Sequence, residues 1–417
     1  MIDVAIIGCG AAGLATAIFA GRHSPGLRVV ALDGAKKIGA KILVSGGGRC
    51  NVSNERVTPD DYWGGSRNTI RRVLAALPRD ETLAFFHEIG VSLHIEENGK
   101  YFPDSNSAKT VLAALLAEAQ RVGVEIRSDH RVSGVRVGGD GDAWRFTIET
   151  SHGELISRRC VLATGGLSLP KTGSDGFGYS IAEALGHSLV PRTPALVPLL
   201  LDGDFHAGLS GISLDVEICL RVAGEKPERL RGSLLWTHFG ISGPVAMNAS
   251  RVWHAARLHG RAIAVTASFL PEHSFESAET WLIDLTAARP RSLLAATLAE
   301  NLPTRFIDAL LAAAKLEPRT PLAHLSRESR RTLLHALLEW PLPIRDSRGY
   351  GYAEVTAGGV PLDEINAATM ESRVCPSLYL VGEILDVDGR IGGFNFQWAW
   401  AGGLVAGRAL ATAARQG

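Results

Sequence analysis

The sequence predicts an α/β fold: a parallel sheet covered by helices, interrupted by a β-rich domain that itself carries a helical insertion. Three observations predict it. The chain opens on an apolar run that breaks into spaced glycines, Val4 to Gly13 (VAIIGCGAAG), and a second apolar run ending in Gly-acid, Leu378 to Glu383, stands near its end. Residues 195 to 270 are rich in Leu and Val with frequent Gly and Pro, the texture of short strands and loops. Residues 273 to 340 hold four segments with apolar positions at helical spacing, cut by Pro290, Pro303, Pro318 and Pro321.

A chain of 417 residues is too long for one core, so several domains are expected. The composition shifts divide it at 1–190 and 353–417, two parts of one sheet domain. A β-rich domain at 191–272 lies between them, with a helical subdomain at 273–340 and a return strand at 341–352. Lys plus Arg and Asp plus Glu are both 43. That balance provides no global field for nucleic acid or membrane. The five cysteines include no C-x-x-C pair, which excludes a zinc cluster or a dithiol redox centre of that type. No metal is expected. Val4 to Gly21 carries no charge over a membrane-spanning length, but Asp3 precedes it and four glycines interrupt it, so neither a signal peptide nor a span is expected. A cytoplasmic location is the corresponding expectation.

In chain order, Val4, Ile6 and Ile7 are β-branched and suit a buried parallel strand. Gly8 permits the turn out of it, Gly10 a close backbone approach to a phosphate, and Gly13 tight packing of the next helix. Val29 to Leu32 reads as the second strand, ending at Asp33, twenty residues after Gly13. An acid there accepts hydrogen bonds from ribose hydroxyls. Together these make a Rossmann-type dinucleotide fingerprint, with the helix N-terminus facing the pyrophosphate. Residues 103 to 123 contain an amphipathic helix ending at Gly123, and Val124 to Ile126 a short strand. Arg131 to Val137 and Trp144 to Glu149 flank a hairpin turn at Gly138–Gly141. Cys160 to Ala163 is a buried strand broken by Gly165 and Gly166. Phe394, Phe396, Trp398 and Trp400 alternate as in a strand. The Gly392-Gly393 turn before them and the small residues Ala401 to Gly407 after them favour a closely packed helix instead.

Lys41 to Asn54 reads KILVSGGGRCNVSN. Three consecutive glycines lose entropy on ordering, so a backbone pressed against a flat group is expected, with Arg49 supplying charge and Asn51, Ser53 and Asn54 hydrogen bonds.

Six blocks then follow one another: Ser45–Asn51 (SGGGRCN), Ala163–Gly166 (ATGG), Pro170–Ser174 (PKTGS), Thr237–Pro244 (THFGISGP), Thr356–Val360 (TAGGV) and Gly392–Asn395 (GGFN). This series resembles the BaiN/YhiN-type bacterial flavoproteins, NAD(P)/FAD-dependent oxidoreductases, along nearly the whole chain. The resemblance implies a Rossmann-like, glutathione-reductase-type FAD-binding domain interrupted by a β-rich domain with a helical insertion. Family members commonly carry Glu where Asp33 stands. By the same resemblance the FAD contacts fall on Gly8, Gly10, Ala11, Ala12 and Gly13; on Asp33, Gly34 and Lys41; on Ser45, Gly46, Gly47, Gly48, Arg49, Cys50 and Asn51; on Arg131 and Val132; and on Ala163, Thr164, Gly165 and Gly166. Gly358, Gly382, Glu383, Gly392, Gly393, Phe394 and Asn395 complete the set, with Thr356–Val360 and Gly392–Asn395 nearest the isoalloxazine.

The resemblance also implies an oxidoreductase acting on a small organic substrate, since members have been linked to reducing conjugated double bonds in 3-oxo bile-acid intermediates and to oxidising small amino-ketones. Only one complete dinucleotide fingerprint is present, so NAD(P)H, if it is the donor, binds transiently. No histidine stands in Leu43–Cys50, and non-covalent FAD is expected. Lys171, Arg49 and His238 are the candidate catalytic residues, Lys171 and Arg49 first as anion or carbonyl partners. Two alternatives remain at this point: an oxidase using oxygen, and a flavoprotein that modifies tRNA or associates with nucleic acid, for which Arg67–Arg72 and Arg327–Arg331 would provide basic patches.

Overall fold

The computed structural model describes residues 2–96, 98–138 and 145–416. Its contacts separate into two units, one formed by the chain up to Pro194 together with Glu354–Gly417, the other by Ala195–Ala353.

The first unit is built on a nine-stranded sheet whose central strands are parallel. Gly153–Leu162 lies between Leu378–Leu380 and Ile2–Ile7, followed by Val29–Leu32 and Glu125–Arg127. Ile6 is opposite Val161 on one side and Ala31 on the other, and Val161 is opposite Tyr379. Sequence neighbours are thus not always sheet neighbours: Gly153–Leu162 seats both the first strand of the chain and Leu378–Leu380 near its end. Val4, Ala5, Ile6, Val161 and Leu162 are fully buried, as strands covered on both faces must be. The hairpin strands Val132–Gly138 and Arg145–Thr150 extend this sheet antiparallel; residues 139–144, most of the expected turn, lie outside the described residues.

Two helices of this unit pack against each other. Ala11–His23 follows the glycine turn, and Phe394–Gln416 closes the fold. They cross where their backbones almost touch. A Cβ on Gly403 would come within 2.6 Å of Ala15 Cβ, and one on Gly407 within 2.7 Å of Phe19 Cβ. Small residues at i and i+4 therefore set the helix separation. The alternating aromatics lie on this closing helix, with Phe394, Trp398 and Trp400 buried; the period-two pattern arises because different faces meet different neighbours. Trp400 Nε1 donates to Val52 O at 3.0 Å, and Gln397 spans Ser53 Oγ, Leu77 O and Thr82 Oγ1.

The second unit has a seven-stranded sheet in which every recorded pair is antiparallel. Its strands Ser213–Val222 and Glu228–Thr237 are ten residues each, longer than their composition suggested. Residues 244–258, read as strand and loop, form a helix instead, Pro244–Leu258. Pro244 at its first turn suits a helix start, and Val245, Ala246, Ala249, Trp253 and Ala256 make a buried face at helical spacing. Helices at Phe275–Ala288, Leu294–Leu298, Thr304–Ala313 and Arg327–Leu338 stand where the four periodic segments are. Arg327 and Arg331 are exposed. No helix among the described residues is long and apolar enough to cross a membrane.

Candidate functional site

The glycines of the first turn divide into two kinds. Gly8 has φ +103°, and a Cβ there would lie 2.3 Å from Ala163 O; a Cβ on Gly13 would lie 1.9 Å from Gly8 O. These two bring the turn, the helix and the Gly153–Leu162 strand together. Gly10 is different, since a Cβ there would meet no protein atom within 4 Å. It holds the cap position of the first helix without a capping side chain. The first N–H groups of that helix, Ala11 and Ala12 among them, have no partner within the helix itself. Asp33 stands beside them and accepts Cys9 N at 2.9 Å and Ala35 N at 2.8 Å. A carboxylate accepting two such bonds retains lone-pair sites for further donors. An anion-binding helix end, room above it and a neighbouring acid fit a dinucleotide's phosphates and ribose.

Across the sheet, Gly34 is crossed by Arg131, whose guanidinium pairs with Asp175 at 2.7 Å and lies 5.2 Å from the Phe177 ring centroid. Val132 is buried in the sheet. The triple glycine follows a short helix that begins at Ala40. Ser45, Gly46 and Gly47 leave helical geometry, and Gly46, Gly47 and Gly48 all have positive φ. Gly46 packs on Phe102 and Asn51, whereas Gly47 and Gly48 are exposed. Arg49 is held by Glu96 at 2.5 Å and over the Phe102 ring at 3.9 Å. Cys50 is buried, and burial pushes its thiol up to about 12, so it is no ready nucleophile. Asn51 is 7% exposed, and its Oδ1 has no hydrogen-bond partner; it lies 2.8 Å from where a Cβ of Gly393 would stand. A buried acceptor at the start of the closing helix marks a place for a donor that the protein itself does not supply.

A polar network ties the chain's two ends to its middle. Lys41 Nζ bonds Ser168 Oγ at 2.5 Å and pairs with Glu383. Glu383 Oε1 accepts Ser168 Oγ at 2.6 Å and Thr356 N at 3.0 Å. Thr356 Oγ1 in turn accepts Leu167 N and Ser168 N. Gly166 is required here, because a Cβ would lie 2.5 Å from Thr356 Oγ1 and 2.7 Å from Glu383 Oε1. Gly165 passes Ser174 in the same way, while Thr164 Oγ1 is buried without a partner. Gly382 packs on Ala12 in the first helix. The structure thus brings Lys41, Gly166, Gly382 and Glu383 into one neighbourhood with the first helix. Ser168 belongs to it too, and no sequence signal marks it, since it lies in no glycine block.

Other candidate residues have local structural roles. Gly358 has φ +86°, and a Cβ would meet Pro191 O at 2.3 Å, so the passing chain accounts for that glycine. Both ends of the Asn395 amide hold the Gly389 backbone, at 2.8 and 3.0 Å. Gly392 lies beside Asn54 and Lys100, and Tyr62 Oη donates to the Phe394 carbonyl. Lys171 is exposed in a short turn, Pro170–Thr172, between Leu169 and Gly173, both at positive φ. His238 is exposed at the hairpin tip between Thr237 and Gly240, in the second unit. Arg49 and Lys171 share the first unit with the network; His238 does not.

One further cluster has the outline of a hydrolytic triad. His187 lies 2.9 Å from Ser372 Oγ and 2.6 Å from Glu364 Oε2. Ser372 Oγ already accepts Val374 N at 3.0 Å and Cys375 N at 2.8 Å. With both lone pairs engaged, the hydroxyl donates to histidine and has no electron pair for attack. It is a buried clasp. Among the described residues no group of three or more side chains could hold a metal ion.

Comparison with known proteins gives consistent neighbours. A family model described as HI0933-like protein Rossmann domain matches residues 2–409. A ribosomal RNA dihydrouridine synthase of Escherichia coli (strain K12) is 34% identical over 96% of this chain and 95% of that protein. A 3-dehydro-bile acid delta(4,6)-reductase of Clostridium scindens is 34% identical over 99% of both. Among solved structures, a 3-ketosteroid delta1-dehydrogenase from Sterolibacterium denitrificans aligns with a TM-score of 0.52 at 12% identity, covering 99% of both chains. At that identity the likeness is one of fold.

Proposed function

The chain belongs to the HI0933-like Rossmann-domain family, and from that premise we propose that it is an FAD-dependent oxidoreductase that saturates a carbon–carbon double bond conjugated to a carbonyl group. The observation that carries this reading is the open first turn: an uncapped helix end above Gly10, with Asp33 beside it. In this reading the first helix receives the FAD pyrophosphate and Asp33 the adenosine ribose. The exposed backbone of Gly47 and Gly48, the Lys41–Glu383 pair and Asn51 serve the rest of the cofactor. Bound FAD supplies a carrier of two electrons as hydride. The residues around it bind and orient. Lys41 holds Glu383, and Glu383 holds the Thr356 backbone, so that a single hydrogen-bonded unit fixes three distant segments. The N-terminus of the closing helix favours negative charge on whatever docks at Gly392-Gly393.

The relatives support the choice of substrate chemistry. Their names describe hydrogenation of a uracil ring in ribosomal RNA and of a 3-oxo-conjugated steroid ring. Both targets are double bonds in conjugation with a carbonyl, which accepts hydride at the far carbon and a proton next to the carbonyl. A reduced nicotinamide is the proposed donor, bound only in passing. The RNA reading is retained beside the small enone because two relatives with that name match nearly the whole chain.

The test is anaerobic. FAD should leave the protein on heating, NADH or NADPH should bleach it, and either an unmodified ribosomal RNA transcript or a steroid dienone should restore the yellow colour. Reoxidation by oxygen alone would make it an oxidase. Failure of both nucleotides to bleach bound flavin would sink the reductase reading.

A further inference from the structure

The block Thr237–Pro244 lies wholly in the second unit. Packing accounts for its glycines. A Cβ on Gly240 would lie 2.2 Å from Leu199 O, and one on Gly243 2.7 Å from Ser233 O. Packing does not account for the hairpin tip, where His238 is exposed and Phe239 half-buried. Sheet order brings a second segment to this tip. Leu199–Leu201 pairs with Gly240–Ser242 on one side and Ile344–Ser347 on the other, with Leu199 opposite both Ile241 and Ser347. The loop after Ser347 therefore leaves the sheet beside the tip. Its backbone is fixed there: Arg348 N donates to Pro198 O at 3.0 Å, Gly349 N to Ser347 Oγ at 3.2 Å, and Tyr352 N to Gly349 O at 3.1 Å. Ser347 Oγ is itself 2.8 Å from Nε2 of the half-buried His254.

Tip and loop meet through a cation. The guanidinium carbon of Arg348 lies 4.6 Å from the Phe239 ring centroid and 3.3 Å from that of Tyr352. Among the described residues no acceptor takes a hydrogen bond from this guanidinium and no carboxylate pairs with it. The neighbouring acids are matched elsewhere: Asp346 Oδ1 accepts Ser347 N at 2.7 Å, and Asp202 lies 4.0 Å from Arg345. A guanidinium presents its N–H donors in one plane, so stacking occupies its face and leaves its edge free. Tyr352 is 52% exposed although Arg348 lies against it, so ring surface is left for another flat group. The edge suits an anion and the ring suits a π face. Single-stranded RNA alternates phosphates with flat bases that stack on aromatic side chains. A steroid skeleton offers little π surface, and a small ligand is enclosed by its site rather than laid on a loop.

Resting on the RNA arm of the function proposed above, we propose that Phe239, Arg348 and Tyr352 form a docking surface for single-stranded RNA. Tyr352 stacks a base. Arg348 holds the adjoining phosphate through its free edge, and Phe239 backs the cation so that little side-chain freedom is lost on binding. His238, beside Phe239 with ring centroids 5.1 Å apart, borders the surface. No covalent bond is made or broken there.

The experiment titrates the full FAD-loaded chain into a fluorescein-labelled oligouridine of about ten nucleotides, at several salt concentrations. The variants are Tyr352→Leu, Tyr352→Phe and Arg348→Met, each melted first to confirm folding. Tyr352→Leu should weaken binding roughly tenfold, within the range for one stacked base, with the salt dependence unchanged. Tyr352→Phe keeps the ring and should bind as the wild type does. Arg348→Met should weaken binding at low salt and make the plot of log affinity against log salt shallower by about one. Wild-type affinity in Tyr352→Leu overturns the proposal, as does failure of the wild type to bind the oligouridine at low salt. Binding of cholate at this surface without RNA would give it to a small organic acid and overturns the proposal too. If the oligouridine binds as described but no RNA transcript restores the colour of reduced flavin, the reductase reading toward RNA has failed and the docking surface stands.

Discussion

A methyl group on Gly13 would be driven to 1.9 Å from Gly8 O, whereas one on Gly10 would meet no protein atom within 4 Å. The same chemical change therefore has opposite consequences three residues apart. Gly13→Ala should destabilise the cofactor-free protein by about 2 kcal/mol, as overpacking does, and lower its melting temperature. Gly10→Ala should leave that melting temperature nearly unchanged and weaken FAD binding roughly tenfold or more, equivalent to about 1.4 kcal/mol. Thermal melts without cofactor and FAD titrations separate the two, and a cofactor-free melt lowered equally in both would contradict the assignment. At this scale the sequence was readable because the fingerprint encodes backbone requirements. Gly358 shows the limit: its glycine reads as a ligand contact in sequence, yet the neighbouring Pro191 backbone requires it.

At the scale of elements, the crossing of the first and last helices positions the site. Gly403 and Gly407 let the closing helix approach Ala12, Thr16 and Ala20 until backbones nearly meet. The same helix holds the Asn51–Asn54 stretch through Gln397 and Trp400, and its N-terminus lies against Asn51 and Ser53. Gly403→Val should therefore push the helices apart, cost about 2–3 kcal/mol by overpacking, and weaken FAD binding without touching a ligand-facing atom. Gly402→Ala, whose added carbon would approach Met370 no closer than 3.7 Å, is the control and should melt near the wild-type temperature. Equal melts for the two variants would refute this account of the crossing. Helix Pro244–Leu258 was not legible because Gly, Pro and Ser around it read as turns, and only its buried neighbours in the sheet favour the helical choice.

At the scale of the whole molecule, the second unit is one continuous piece, Ala195–Ala353, with its own apolar core around Trp236, Phe269, Phe306 and Leu333. The strands that flank it, Val190–Ala195 and Val355–Gly359, pair with each other. Expressed alone, residues 195–353 should fold with a cooperative thermal transition and bind no FAD; a non-cooperative melt would show that its core is insufficient. Sequence by itself determined the fold class, the dinucleotide turn, the triple-glycine segment and the four inserted helices, because glycine spacing and apolar periodicity are local. Only the tertiary structure decided that Lys41, Ser168, Thr356 and Glu383 form one network. Those residues are separated by up to 342 positions along the chain, and a hydrogen-bonded charge network leaves no periodic trace in sequence, since each member is an ordinary polar residue until the fold brings its partner.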